Sequence, residues 1–159
     1  MNNLLKALDC ENEEVVINAF MDRYSVSSEE ARDIFTETKK WLWLAAQNKS
    51  HNKGGLLIDK SLLVIDEMWH TFLLHSKIYY EYCFNKLKTL VHHVPTTQAE
   101  KIQIAYDLQN NPQKNELYEN RIKNQYALIY DQLGPETLIK WYDTLANKYT
   151  PEHLQAIKK

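Results

Sequence analysis

Apolar side chains in this sequence recur at intervals of three and four residues, and almost nothing interrupts them: the 159 residues include only three glycines and four prolines. That spacing lines one face of a helix, and neither a sustained Val/Ile/Thr alternation nor an Asn-Gly hairpin signal is present to support strands. An all-α fold is expected. With 44% apolar residues, a chain of this length can hide roughly 70% of its unfolded surface around one core. Residues 1–159 are therefore expected to form a single helical domain of six to eight helices, with a central αα-hairpin.

The clearest helix opens at a capping box, Ser27 with Glu30, and carries Ala31, Ile34, Phe35, Thr38, Trp41, Leu42 and Ala45 on one face. Val16, Phe20 and Tyr24 predict a helix before it, over Glu13 to Tyr24. The polar stretch Asn48 to Gly55 reads as a loop. Further helices are expected from about Ser61 to Leu74 and from about Lys77 to Leu90, with Ser76 as the N-cap between them. Thr97 and Glu100 form a second capping box, opening a helix to about Asn110 that Pro112 breaks. Lys114 to Leu133 follows, closed by Gly134-Pro135, then Pro135 to Asn147 and a short terminal helix at Thr150-Pro151.

The balance of 19 basic against 21 acidic side chains, a net charge of −2, creates no field that would gather a polyanion or an anionic bilayer. Nucleic acid and membrane are not expected partners. The opening MNNLLKALDCENEE lacks the pattern of a signal peptide, and no apolar run reaches membrane-spanning length. Cys10 and Cys83 then read as reduced thiols, and the expected compartment is the cytoplasm.

Chemistry concentrates between Asp66 and Pro95. Four of the six histidines fall between His70 and His93, where an even spread would place about one, and Cys83 lies among them. Imidazole and thiolate suit zinc or a similar borderline-soft ion. The expected ligands are His70, Cys83, His92 and His93. Asp66, one turn before His70, would orient its imidazole from behind. On one continuous rod His70 and Cys83 would lie about 220° and ~20 Å apart, so a shared site requires a break near Ser76. An open coordination position with Glu67 nearby would permit hydrolysis. His75 reads as a residue suited to a helix C-terminus. Cys83 as a nucleophile lacks any visible activation, and Gly54-Gly55 has no phosphate-loop context.

These residues also carry a resemblance. Ile65-Asp66-Glu67-Met68-Trp69-His70, then Tyr79, Cys83 and His92-His93-Val94-Pro95, resemble the bacterial branch of the glycine-rich domain-containing protein family. The likeness extends from about residue 15 to residue 145. It implies a shared signature of Asp66, Trp69, His70, Tyr79, Cys83 and His93 and no particular reaction; within that set Trp69 is expected to be a structural element and Tyr79 to lie behind the ligands. The functional expectation is a metal-binding helical domain, zinc first. The alternative is a metal-free protein-interaction module using a tyrosine-rich helical surface, for which ten tyrosines are available.

Overall fold

A long helix, α3 (Ser28–Ser50), runs through the middle of the protein, and its length follows from the uninterrupted periodicity after the Ser27 cap. Ser27 Oγ accepts the Glu30 amide at 3.1 Å, as the capping box requires. The computed structural model describes residues 2–50 and 55–159, and among these every regular element is helical. The helices α1 (Asn2–Leu8), α2 (Glu13–Arg23) and α4 (Leu63–Leu74) pack against α3. Phe20, Phe35, Leu42, Ile65 and Phe72, all fully buried, form the centre of the core. Each such side chain contributes about 1.5–3 kcal/mol by leaving water.

The helix α3 extends further than its sequence suggests. Asn48 and Lys49, expected to open the loop, are still helical, and Asn48 is buried. Tertiary contact overrides the weak helix propensity of this stretch: Lys49 Nζ donates to the Leu90 carbonyl at 3.1 Å. The remainder of the predicted loop includes residues 51–54, which lie outside the described residues.

A turn at Asp59, whose carboxylate accepts the Ser61 amide at 2.9 Å, leads into a short 3-10 segment, Lys60–Leu62, and then α4. The chain breaks at His75, which has φ −99° and ψ 64°. Its ring nitrogen Nδ1 lies 3.1 Å from the Thr71 carbonyl, at the C-terminal end of α4 where an imidazole was expected. Ser76 is not the N-cap; it is the first residue of α5 (Ser76–Tyr82), and no side chain caps that helix. The helix continues as a π turn, Cys83–Leu87, and stops at Lys88 in the left-handed region with φ 63°. This is earlier than the predicted end at Leu90, and the shorter rod frees residues 89–97 to return along α4.

Thr97 caps α6 (Gln98–Asn110), and Asn111 caps α7 (Pro112–Leu133), whose first residue is the proline expected to break the chain. Proline fits there because its missing N–H would have no partner in a first turn. Gln125 of α7 binds the backbone of Leu57 in both directions, at 2.7 and 2.9 Å. Gly134, at φ +92° where other residues are strained, links α7 to α8 (Pro135–Ile139). A second π turn, Lys140–Leu145, and α9 (Ala146–Lys148) continue that rod. Trp141 packs against Trp41 and donates its indole N–H to the buried Glu37 carboxylate at 3.0 Å. After α10 (Pro151–Ile157), the chain pairs with the end of α2: the Ser25 amide donates to Ile157 O at 2.8 Å and the Lys159 amide to Arg23 O at 2.9 Å. Of the tyrosines, Tyr24, Tyr79, Tyr82 and Tyr149 are core residues, while Tyr80, Tyr106 and Tyr130 are exposed on three different helices.

Phe72 meets Phe35 and Tyr79 edge-on, each at a 5.0 Å ring separation, and so joins both arms of the α4–α5 hairpin to α3. Phe72→Ala is expected to destabilise the fold by about 3–5 kcal/mol, read as a lower urea midpoint in circular dichroism.

Candidate metal centre

Three side chains converge on the outer face of α4. Asp66 and His70 are one helical turn apart, and His70 Nε2 lies 3.7 Å from Asp66 Oδ2. His93 enters from the segment after Lys88, with Nε2 2.8 Å from Asp66 Oδ1. One donor atom from each of the three lies within 4.8 Å of the others, and among the described residues no other trio of His, Cys, Asp or Glu does this. The His70 and His93 rings meet edge-on at 4.4 Å, as do those of Trp69 and His93.

His93 is placed by a relay of buried hydrogen bonds. The Trp69 indole N–H donates to the Tyr79 hydroxyl at 3.0 Å, and that hydroxyl donates to the Val91 carbonyl. Burial then alternates along the segment, as side chains do along an extended chain. Val91 is buried and the His93 side chain is only 10% exposed, whereas His92 and Val94 face outward.

Of the residues expected to converge, the fold therefore brings together His70 and His93 and leaves out Cys83 and His92. Asp66 joins the group directly, not from behind. Cys83 is fully buried where α5 passes into the π turn, and burial pushes its thiol pKa up, partly offset by the Val91 backbone and the Tyr79 side chain. One helical turn separates Cys83 from Tyr79, so it packs with the relay and not with the imidazoles. Tyr79 holds the loop through Val91, and burial raises its hydroxyl well above the ordinary range.

The carboxylate behind His70 is Glu67. Its Oε1 is 3.7 Å from His70 Nδ1, while Oε2 accepts from Arg23 Nη2 at 3.0 Å and Tyr24 Oη at 2.8 Å. Arg23 also donates to Thr71 Oγ1 and to the Glu67 carbonyl. Burial, together with the hydrogen bond to Glu67, pushes the Tyr24 hydroxyl up to about 12, so it remains a donor at neutral pH. A freely available acid beside an open position, the arrangement hydrolysis would use, is not what Glu67 provides. Arg23 and Tyr24 lie 44 and 43 residues from Glu67, and no local pattern in the sequence links them.

The chain belongs to the UCP032817-like family. That family's model matches residues 8–114, from the end of α1 to the first turn of α7. The matched span contains Asp66, His70 and His93, the Trp69–Tyr79–Val91 relay, and Arg23, Tyr24 and Glu67. No curated protein and no solved structure matches the chain. Within the family's span both cysteines are free and buried, and burial raises the Cys10 thiol to about 12, with Glu13 and Asp9 adding and Lys39 opposing. Neither thiol forms an appreciable thiolate at neutral pH, and neither is accessible. A disulfide thiol reagent at pH 7.5 is expected to label the native protein over hours and the urea-unfolded protein within minutes at both positions, followed by mass spectrometry.

Proposed function

We propose that this chain is a metal-binding helical protein in which Asp66, His70 and His93 hold a divalent ion, zinc being the first choice. The observation that carries this reading is the convergence of the three donors within 4.8 Å on a face that solvent can reach. A tetrahedral ion with bonds of about 2.0–2.1 Å separates its ligand atoms by about 3.3 Å. His93 Nε2 lies 2.8 Å from Asp66 Oδ1 and His70 Nε2 3.7 Å from Asp66 Oδ2, and one atom from each residue is within 4.8 Å of the others, so side-chain rotation has to bring one carboxylate oxygen and the two nitrogens to that spacing. Two imidazoles and one carboxylate leave a position for water or a further ligand, as open zinc sites do. The same donors suit iron(II), which would keep the ligand set and change the chemistry available.

The signature that resembles the glycine-rich domain-containing proteins acquires a division of labour on this reading. Asp66, His70 and His93 are ligands, Trp69 and Tyr79 hold the His93 segment in place, and Cys83 is packing. The free cysteines favour a cytoplasmic setting. Among the described residues no helix is long and apolar enough to cross a membrane.

Untagged protein purified without chelator is expected to carry about one ion per chain, counted by plasma mass spectrometry. Asp66→Asn, His70→Ala and His93→Ala should each abolish retention, while Cys83→Ala and His92→Ala should keep it. Metal-free wild-type protein that also fails to take up added zinc would contradict the reading, as would metal loss on substitution of Cys83 or His92.

A further inference from the structure

We infer that Glu67 is the positioning carboxylate of this centre, fixing the tautomer and direction of the His70 ring, and that the end of α2 sets Glu67 in turn; this rests on the metal reading above. The His70 imidazole lies between two carboxylates. Its Nε2 faces Asp66 Oδ2 and its Nδ1 faces Glu67 Oε1, each at 3.7 Å. The two ring nitrogens point in different directions, so an ion shared by Asp66, His93 and Nε2 leaves Nδ1–H directed at Glu67. A shift of under about 1 Å makes that contact a hydrogen bond. A carboxylate behind a ligating imidazole holds the proton on the far nitrogen and raises the basicity of the near one.

Glu67 is built for this role and poorly placed as a ligand. It lies outside the group of mutually close donors. Its Oε2 is already occupied by the Arg23 guanidinium and the Tyr24 hydroxyl. The carboxylate therefore cannot swing toward the ion without breaking its bond to Arg23 Nη2 and leaving the buried Tyr24 hydroxyl without its acceptor, although Arg23 keeps Thr71 Oγ1 and the Glu67 carbonyl. Arg23 and Tyr24 are themselves held by the backbone pairing with Ile157, Lys158 and Lys159. Glu67, Oε1 foremost, is thus presented to His70 by two segments distant in sequence.

Zinc affinity, measured by competition with a chromophoric chelator, tests this in Glu67→Gln. The variant keeps the shape and loses the charge, and a 10–100-fold weaker affinity is expected, with circular dichroism unchanged. In zinc-loaded wild-type protein, the His70 Nδ1–H proton should appear downfield in proton–nitrogen NMR spectra and should move or broaden away in Glu67→Gln. Tyr24→Phe, which removes one of the two donors to Oε2, is the second variant and should weaken zinc binding a few-fold in a folded protein. Wild-type affinity in both variants would overturn the positioning role and leave the metal site standing. A Glu67→Gln variant that still binds cobalt(II) but with a changed absorption spectrum, or one that stays folded and binds no metal, would make Glu67 a ligand and overturn it as well. Wild-type protein that binds no zinc would remove the site itself, an outcome distinct from both.

Discussion

The Tyr79 hydroxyl, accepting from the Trp69 indole and donating to the Val91 carbonyl, is the contact on which the candidate site depends. All three groups are buried, and leaving any one unpaired there costs about 1–3 kcal/mol. The bond joins α4, α5 and the returning segment at one point. It operates only because the chain breaks at His75 and reverses at Lys88. The break brings Tyr79 back against Trp69, and the left-handed residue turns the chain so that Val91 reaches Tyr79 and His93 reaches Asp66.

The charges around the site follow a similar economy. Asp66 and Glu67 are adjacent acids on one helix, a placement that would be repulsive if both faced the same neighbours. Arg23 neutralises Glu67, and Asp66 faces the two imidazoles. Each carboxylate therefore has its own partner, and the His70 ring lies between them, 3.7 Å from each.

Much of this was legible in the sequence, because it depends on local rules. Ser27, Thr97 and Thr150 cap where their types and spacings say they should. The pairing of Asp66 with His70 follows from one helical turn. That His93 joins the group and His92 does not was not legible locally, because it depends on the side-to-side alternation of a segment whose register Val91 sets only after folding. Cys83 looked like a ligand because a turned-back α5 brings it toward α4; the one turn between it and Tyr79 instead assigns it to the packing. The seven-residue α1 is too short to persist alone. It forms because Ala7 is buried, and because Tyr82 and Lys39 satisfy the Ala7 and Leu8 carbonyls at its end. The π turns and the Arg23–Glu67 contact leave no local signature, since each answers to tertiary packing.

On the proposed metal reading, Asp66, His70 and His93 together form one ion's coordination sphere. X-ray absorption at the zinc edge of loaded protein reads that sphere directly. Nitrogen and oxygen neighbours at about 2.0–2.1 Å, outer-shell scattering from two imidazoles, and no sulfur at about 2.3 Å are expected. A sulfur neighbour, or a sphere with fewer than two imidazoles, would contradict it.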